Sequence, residues 1–321
     1  MMAVIEAEGL SKSFEVRRAV VEAVRGVDLR VEAGEIFGFL GPNGAGKTTT
    51  LRMLATLLEP SGGRAMVAGY DLLREPARVR GRIGYVSQAG GVDVQATGRE
   101  NLLLQARLCG LGRGAARARV AEMVELLELP EICDRKAGTY SEGQQQRLAL
   151  ALGLVHRPAL LFFDEPTVGL DPQSRARLWD EVRGLREAGT TVFLTTHYLD
   201  EADALCDRLA IIDEGEIVAE GAPRELKRRI SGDVISVTLD EQNGGVGRAR
   251  KLLDSGSSNY EMQQDGGTLR VYVDSGEEAL PDLMRRLDGG GCRVQSIALS
   301  RPSLDDVFLQ QTGRSLRESS N

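Results

Sequence analysis

Long hydrophobic runs are missing from this sequence. The two longest apolar candidates, Leu148–Val155 and Ala159–Phe163, are separated by His156, Arg157 and Pro158. Neither approaches the ~18 consecutive apolar residues that a transmembrane helix needs. Charged residues also interrupt the first positions of the chain, where a secretory signal would carry its apolar core. We therefore expect a chain that neither crosses a membrane nor carries a secretory signal.

Cysteines are few and dispersed. The four cysteines, Cys109, Cys133, Cys206 and Cys292, form no C-x-x-C pair, so neither a zinc site nor a disulfide framework is expected. This usage indicates a reducing, cytosolic location.

Concentrated positive charge is also lacking. The 40 basic and 47 acidic residues give a formal net charge of -7, and we interpret short groups such as Lys227-Arg228-Arg229 as solvated helix faces. A protein that binds DNA without sequence preference needs a concentrated basic surface, so no nucleic-acid partner is expected. With 42% hydrophobic, 27% charged and only 4% aromatic residues, the composition is that of a folded globular protein.

The length and the order of the predicted elements indicate two domains. A chain of 321 residues exceeds one comfortable hydrophobic core. Strands and helices alternate up to about residue 230, which predicts an α/β layered domain with a largely parallel sheet. Its predicted strands are Ile36–Leu40, Ile83–Val86, Leu160–Asp164, Thr191–Thr195 and Leu209–Asp213, and its predicted helices are Arg99–Cys109, Ala115–Leu127, Gln144–Val155 and Gln173–Glu187. The segments Val4–Ala7 and Val27–Val31 predict a small antiparallel sheet beside the main one.

A smaller domain is predicted after a linker at Ser231-Gly232. Its predicted segments are the strand Asp233–Leu239, the helix Gly247–Leu253, the strands Tyr260–Gln264 and Thr268–Val273, the helix Glu277–Leu287 and the strand Cys292–Leu299. This β-α-β-β-α-β order is typical of ferredoxin-like domains. We expect the domains at residues 1–230 and 231–313, with a mobile tail at 314–321.

The most informative motif is Gly41-Pro-Asn-Gly-Ala-Gly-Lys-Thr48, which fills every position of the phosphate-binding pattern G-x-x-x-x-G-K-[ST]. A predicted strand precedes it and a predicted helix, Thr48–Leu58, follows it, so that backbone N–H groups converge on a polyphosphate at the helix N-terminus. Lys47 can reach the β- and γ-phosphates, and Thr48 can offer its hydroxyl to Mg²⁺. The alternative is a chance glycine-rich turn, and the strand and helix argue against it. The sequence therefore predicts a nucleoside triphosphate site.

Polar side chains follow the neighbouring predicted strands. Asp164 suits a Mg²⁺ ligand, and Glu165, one residue further on, suits the group that positions the attacking water. Gln88 and His197 also follow predicted strands. Since ligands of parallel α/β sheets bind outside the carboxyl ends of the strands, we expect all four side chains at one site.

Five motifs, in order, give the chain a family resemblance. In chain order they are the phosphate-binding pattern, Thr139–Arg147 where the family has its signature, the Asp164-Glu165 pair, Gly169-Leu-Asp171 as the D-loop and Thr195-Thr-His197 as the switch histidine. Roughly the first two-thirds of the chain thereby resembles the nucleotide-binding subunit of an ABC transporter. The resemblance implies a P-loop NTPase fold with a small antiparallel sheet and a helical subdomain. Here a small C-terminal α+β ferredoxin-like domain is added.

The resemblance implies a homodimer in which two copies sandwich two ATP molecules head to tail. Each ATP would be bound by the phosphate loop and Gln88 of one copy and by the signature of the other. Phe14 occupies the place of the aromatic that stacks on adenine in this family. The implied ATP-binding residues are Phe14, Gly41, Pro42, Asn43, Gly44, Ala45, Gly46, Lys47, Thr48, Thr49, Ser141, Gly143, Gln144 and Asp171. The implied catalytic residues are Lys47, Gln88, Glu165 and His197, and the implied Mg²⁺ ligands are Thr48, Gln88 and Asp164.

The signature departs from the family pattern at Glu142, which stands where the first of two glycines is common. Ser141-Glu-Gly-Gln144 also matches S-x-x-Q, a capping box that begins a helix, and an acidic residue in a first turn is favoured by ~0.3–1 kcal/mol. A carboxylate close to the partner's γ-phosphate would repel it. We interpret Glu142 as a helix-start residue that tunes turnover without abolishing it.

The C-terminal segment narrows the resemblance. Arg301–Gly313 is similar to the end of the daunorubicin-resistance-type ATPases, a bacterial drug-export group. The alternative is a terminal amphipathic helix with Leu304, Val307, Phe308 and Gln311 on its buried face, and both can hold. The implied function is the ATP-hydrolysing subunit of an efflux transporter. It would lie on the inner face of the cell membrane, with the membrane spans on a separate permease.

In this family the region between Gln88 and the signature docks the membrane subunit. We expect Gln88 and the loop Gly90–Thr97 to transmit the motion, with Val92 and Val94 supplying apolar surface. A bulky or charged replacement at either valine is expected to lower transport and spare basal ATP hydrolysis.

Two other classes of function stay open. A soluble ABC-type ATPase acting on DNA or ribosomes usually has a coiled-coil insertion or tandem nucleotide domains, whereas the interval from Lys47 to Asp164 has no heptad run and the chain has one phosphate loop. A regulatory ATP binder without turnover would lack Glu165 or His197, and both are present.

Overall fold

The computed structural model describes residues 2–16, 19–87, 91–230, 232–240, 245–254 and 260–315. The chain forms two compact units, Met1–Ile217 and Val218–Asn321, which we call the first and second units. Within the described ranges, no helix is both long and apolar enough to cross a membrane.

The elements up to the boundary between the units alternate between strand and helix. In chain order they are β1 (Ala3–Val16), β2 (Ala19–Glu32), β3 (Ile36–Leu40), α1 (Lys47–Leu54), β4 (Gly62–Val67), β5 (Tyr70–Asp71), α2 (Pro76–Arg80), β6 (Ile83–Val86), α3 (Gly98–Leu108), α4 (Arg113–Leu126), α5 (Glu142–Leu154), β7 (Leu160–Asp164), α6 (Pro172–Glu187), β8 (Thr191–Thr196), α7 (Leu199–Leu205), β9 (Arg208–Asp213) and β10 (Glu216–Gly221). A short 3-10 helix, Ala137–Thr139, precedes α5.

A largely parallel sheet forms the centre of the first unit, as predicted. Its strand order is β10-β9-β3-β8-β7-β6, and β9, β3, β8, β7 and β6 pair in parallel. Every residue of β3, β7 and β8 is buried, as expected where helices cover both faces of a parallel sheet. The ring of Phe193 in β8 lies 5.6, 5.7 and 5.6 Å from those of Phe37, Phe39 and Phe162. The carboxyl ends of β3, β8 and β7 are therefore neighbours, with Leu40 paired to Thr196.

The antiparallel sheet is confirmed but is larger than predicted. β1 and β2 form a long hairpin, and the strand order is β2-β1-β4-β5. In the predicted segments Val4–Ala7 and Val27–Val31, alternate or neighbouring apolar side chains enter the core, as do Leu10 and Val24 outside them. Much of the rest of the hairpin is exposed and polar. It therefore lacks the apolar pattern from which a strand is predicted.

The helix after the phosphate-binding pattern is shorter than predicted. α1 ends at Leu54 instead of Leu58. Thr56 has a left-handed φ of 61°, and the N–H groups of Leu57 and Leu58 both donate to the carbonyl oxygen of Arg52. A left-handed residue cannot continue a right-handed helix, so the helix stops there.

The helices α3, α4 and α5 lie between β6 and β7 in the chain and form the predicted helical subdomain. α3 begins with a capping box made by Thr97 and Glu100 and packs against α4 and α5. The predicted ends of all three helices differ from the observed ends by one or two residues, which is the usual uncertainty in locating a helix end.

The second unit has the predicted β-α-β-β-α-β order. Its elements are α8 (Pro223–Arg229), β11 (Asp233–Leu239), α9 (Gly245–Asp254), β12 (Glu261–Asp265), β13 (Thr268–Val273), α10 (Gly276–Gly289), β14 (Val294–Ser300) and α11 (Leu304–Thr312). The antiparallel sheet has the order β12-β13-β11-β14, which is the ferredoxin-like arrangement. Its core includes Ile235, Val237, Leu269, Val271 and Leu283, all with zero exposure.

The C-terminal helix α11 packs into the second unit through both apolar and charged side chains. Leu304, Val307 and Phe308 are buried as predicted, whereas Gln311 is exposed. The prediction for Gln311, which lies in the last turn of α11, was therefore wrong. Arg270 of β13 donates hydrogen bonds of 2.7–2.8 Å to the carboxylates of Asp305 and Asp306 on α11 and of Asp265.

Candidate functional site

The glycine-rich loop joins the end of β3 to the start of α1. Gly44 and Gly46 have left-handed φ values of 82° and 105°. A Cβ atom on Gly46 would lie 2.5 Å from the carbonyl oxygen of Ala23 in β2, and one on Gly41 would lie 2.2 Å from that of Ile212 in β9. Only glycine therefore fits where the loop packs against these two strands.

Lys47 lies inside the curve of this loop. Its side chain is 4% exposed, and Nζ donates hydrogen bonds to the carbonyl oxygens of Gly41, at 2.8 Å, and Pro42, at 3.0 Å. Burial lowers the pKa of the Lys47 ammonium, while the nearby Glu165 and Asp164 carboxylates act to raise it. The loop thus fixes a cation where a polyphosphate would enter.

Asp164 ends β7 as a buried carboxylate with several hydroxyl partners. Its Oδ1 accepts hydrogen bonds from the hydroxyls of Thr48 and Thr195, each at 2.9 Å, and its Oδ2 accepts one from Tyr85 at 3.3 Å. The predicted pair Thr48 and Asp164 is therefore in direct contact. Sequence reasoning missed Tyr85 and Thr195, because nothing in their local patterns shows which side chain they meet across the sheet.

Glu165 connects the phosphate loop to the switch histidine. Its backbone has a left-handed φ of 50°, and its N–H donates to the carbonyl oxygen and to the hydroxyl of Thr195, each at 3.1 Å. Glu165 Oε1 lies 3.3 Å from Lys47 Nζ and 3.3 Å from His197 Nδ1. The contact with Nδ1 lacks hydrogen-bond alignment. A left-handed non-glycine residue costs ~1–3 kcal/mol, and such strain is often found at functional sites.

A cavity of about 370 Å³ lies beside these groups. It is lined by Ala23, Asn43, Gly44, Gly46, Lys47, Thr48, Thr49 and Glu165. We call it the phosphate-loop cavity. Three other residues of the loop, Gly41, Pro42 and Ala45, are buried and do not line the phosphate-loop cavity.

The predicted residue Phe14 does not line this cavity, and the position of Gln88 is not described. Phe14 is on β1, its side chain is 36% exposed, and Lys12 Nζ lies 5.3 Å from the centre of its ring. The structure does not place Phe14 among the residues that line the cavity. Gln88, predicted as a catalytic residue and Mg²⁺ ligand, lies outside the described residues.

The signature begins α5. Ser141 accepts a hydrogen bond from the N–H of Gln144, and the side chain of Gln144 accepts one from the N–H of Ser141. The predicted capping box is therefore confirmed. Glu142 is the first residue of α5 and is exposed.

The D-loop residue Asp171 begins α6 beside the signature. Its carboxylate accepts hydrogen bonds from the N–H groups of Gln173, at 2.9 Å, and Ser174, at 3.0 Å, and from the Ser174 hydroxyl at 2.6 Å. The hydrogen bonds from Ser174 lower the pKa of Asp171. A Cβ atom on Gly143 would lie 2.9 Å from Ser174 Oγ, so the starts of α5 and α6 are in close contact.

The signature lines a second cavity, of about 160 Å³, with Ser141, Gly143 and Gln144 on one side and Ser174 on the other. We call it the signature cavity. Among the described residues, it shares no lining residue with the phosphate-loop cavity. One copy of the chain thus carries the two predicted halves of the ATP site in separate places.

Comparison with known proteins assigns the chain to a family. The ABC transporter family model matches residues 24–168, and a model for the C-terminal domain of DrrA1-3-like ATP-binding proteins matches residues 221–312. The daunorubicin resistance ATP-binding protein DrrA2 of Streptomyces coeruleorubidus is 45% identical over 96% of this chain and 95% of its own length. The chain belongs to the ABC transporter ATP-binding proteins. This ABC protein is also 45% identical to the daunorubicin/doxorubicin resistance ATP-binding protein DrrA of Streptomyces peucetius, over 96% of the chain and 92% of that protein.

Solved structures agree with the family. A dimeric post-hydrolysis state of an ATP-binding cassette, bound to ADP and Pi, matches with a TM-score of 0.63 and 26% identity, over 68% of this chain and 98% of that chain. The predicted family and fold class are therefore confirmed. This ABC protein binds ATP and hydrolyses it in a transport process.

Proposed function

We propose that the chain is the ATPase subunit of a drug exporter and works as a head-to-tail dimer. The observation that carries the proposal is the separation of the phosphate-loop cavity from the signature cavity within one copy. A second copy, related by a two-fold axis, would place each signature over the other copy's phosphate loop. Both ATP sites of the dimer would then be complete and equivalent. The similarity of the whole chain to daunorubicin-resistance ATP-binding proteins supports a drug or another hydrophobic compound as the cargo.

We infer the roles of the side chains from their positions. The loop N–H groups and the Lys47 ammonium would hold the β- and γ-phosphates. Glu165, whose carboxylate is fixed beside Lys47 and His197, would orient the attacking water, and His197 would contact the γ-phosphate. From the partner, Ser141 and Gly143 would bind the same phosphate with the N-terminus of α5, and Asp171 would lie at the dimer contact.

The side chains at the end of β7 fit Mg²⁺. Thr48 Oγ1 and Asp164 Oδ1 are 2.9 Å apart, and hydroxyl and carboxylate oxygens are the ligands that Mg²⁺ prefers. Mg²⁺ usually takes one or two protein oxygens together with substrate phosphates. When bound, the ion would neutralise charge on the β- and γ-phosphate oxygens. Gln88, the third predicted ligand, stays a prediction.

We infer that a separate membrane permease docks between the sheet and the helical subdomain. A cavity of about 410 Å³ lies there, lined by residues of β6, α3 and α5 and by Leu57. Large apolar side chains are exposed close to it in the sequence: Leu57 by 57%, Val94 by 47%, Leu104 by 60% and Leu108 by 72%. Exposed apolar surface of this kind marks interaction sites. The ATPase would then lie on the inner face of the membrane, bound through this permease.

The experiment isolates the complex from native membranes. A Glu165→Gln variant is purified from detergent-solubilised membranes with Mg-ATP, because slowed hydrolysis should hold the dimer closed on its partner. The proteins that copurify are identified by mass spectrometry. We expect a multi-span membrane protein. Recovery of ribosomal or DNA-repair proteins instead would favour the soluble ABC-type ATPase over the transporter.

A second variant tests the docking face. Val94→Asp, added to Glu165→Gln, places a charge on the loop Gly90–Thr97, and we expect at least a ~10-fold lower yield of the membrane protein, since an unpaired charge in an apolar interface costs several kcal/mol. ATP-dependent dimerisation should be kept. Asp93→Asn, which removes the neighbouring charge, is the control. An unchanged yield with Val94→Asp would contradict this docking face.

A further inference from the structure

The second unit carries a basic cavity that the proposed ATP site does not use. Its volume is about 450 Å³, and four cationic side chains line it: Arg224, Lys227 and Arg228 of α8, and Arg301 after β14. We call it the basic cavity. This volume falls within the ~300–1,000 Å³ range of small-molecule sites.

The helix α8 presents three of these cations on one face. Residues three and four apart share a helix face, so Arg224, Lys227 and Arg228 lie together. On another face, Leu226 is fully buried and the following Ile230 is 4% exposed, and α8 packs against α11. The apolar contacts therefore fix the orientation of the basic face.

Arg301 also lines the cavity, although it lies more than 70 residues from α8 in the sequence. It follows β14, and Pro302 directly after it restricts the Arg301 backbone to an extended conformation. Cations in the last turn of α8 are also favoured by the helix dipole. The helix dipole can explain why cations occur at positions 227 and 228. It cannot explain the cation at position 301, because Arg301 is not on the helix.

Three of the four cations of the basic cavity, Arg224, Arg228 and Arg301, have no carboxylate partner among the described residues. Asp233 is the one acidic residue among its described lining residues, and its Oδ2 accepts a hydrogen bond from the N–H of Gly276 at 2.9 Å. In the part of the chain that the structure describes, Arg224, Arg228 and Arg301 make no ion pair. By contrast, Arg270 in the same unit is matched by three carboxylates. A bound anion would offset the mutual repulsion of these cations.

We propose that the basic cavity binds a phosphate group, carried by an anionic lipid headgroup or by a free phosphate compound. Guanidinium groups suit this ligand, because their paired N–H donors match two oxygens of a tetrahedral anion. Arg224 and Arg301 approach the cavity from different elements and would hold the phosphate between them. The binding goes beyond ATP hydrolysis and does not depend on it.

The experiment compares full-length variants of equal charge. R224Q/R301Q removes two charges from the basic cavity, and R113Q/R117Q removes two exposed arginines from α4. Flotation with phosphatidylcholine vesicles, with and without phosphatidic acid, tests the lipid source. Calorimetric titration with inorganic pyrophosphate tests the free source, in a Lys47→Ala background that weakens binding at the phosphate loop. An unchanged ATPase rate, measured with Lys47 intact, together with an unchanged circular dichroism spectrum and melting temperature, shows that both charge variants fold.

We expect R224Q/R301Q to bind one of the two probes at least ~10-fold more weakly, because two of the four cations that line the basic cavity are removed. R113Q/R117Q should bind like the starting protein, and raised salt should weaken the interaction. Loss of flotation identifies the lipid source, and loss of pyrophosphate binding identifies the free source. The proposal is overturned if the starting protein binds neither probe, or if both double variants lose affinity equally.

Discussion

Replacing Glu165 by glutamine lowers the rate of ATP hydrolysis by about 10²- to 10⁴-fold, the range expected when a group that assists proton transfer is removed. Glutamine keeps the size of the side chain and loses its negative charge and its basicity. The carboxylate lies 3.3 Å from Lys47 Nζ, where it repels an incoming γ-phosphate. Affinity for ATP is therefore expected to stay the same or to increase.

Steady-state phosphate release and equilibrium binding of a fluorescent ATP analogue measure the two effects separately. Glu187→Gln is the matched control, because Glu187 ends α6 with an exposed side chain, and this variant should hydrolyse ATP normally. If Glu165→Gln kept more than about a tenth of the starting rate, Glu165 would not be the group that orients the water.

Gly46→Ala lowers the affinity for ATP by about 100-fold. Two costs combine: alanine in the left-handed conformation costs ~1–2 kcal/mol, and its Cβ atom would lie 2.5 Å from the carbonyl oxygen of Ala23. That oxygen belongs to the β2 backbone and cannot rotate away, so the phosphate loop itself must move. The N–H groups of the loop and Lys47 then lose their alignment with the phosphates.

Gly69→Ala separates the backbone strain from the clash. Gly69 has a similar left-handed φ of 85°, but nothing lies within 4 Å of an added Cβ atom. Both variants should lose some thermal stability, and only Gly46→Ala should lose ATP affinity. Titration with ATP, monitored by calorimetry, gives both affinities. Equal ATP affinity in the two variants would contradict the account of the loop.

The parts of the fold that the sequence predicts are those with local signals. The strands Ile36–Leu40 and Leu160–Asp164 are buried along their whole length and are almost entirely apolar, and their limits were predicted without error. The hairpin of β1 and β2 was underestimated because its exposed residues are polar. The end of α1 was predicted too late because Thr56 has an ordinary sequence pattern and an uncommon backbone conformation.

In the candidate site, too, the residues with a local sequence signal were predicted and those without one were not. Lys47, Thr48, Asp164, Glu165 and His197 were predicted from motifs, and the structure brings them together. Tyr85 lies in no motif, and Thr195 was noted only as the start of the Thr195-Thr-His197 motif. Their hydrogen bonds to Asp164 are identified only by the pairing of β6, β7 and β8.

The basic cavity was not predicted, because the residues that form it are far apart in the sequence. Lys227-Arg228-Arg229 looked like a solvated helix face, and one of its members, Arg229, does donate instead to the carbonyl oxygen of Glu220. The cavity becomes visible only when Arg301, far away in the sequence, is placed beside α8.

Mixing two inactive variants tests the central claim, that each ATP is hydrolysed between two copies. Lys47→Ala disables the phosphate loop. Ser141→Asp keeps a residue that caps α5 well and places a negative charge where the partner's γ-phosphate would bind. Each variant alone should be almost inactive. An equal mixture should recover up to about a quarter of the starting rate, since half of the dimers would then carry one intact composite site. A mixture no more active than its components, or a fully active Ser141→Asp variant, would contradict the shared site.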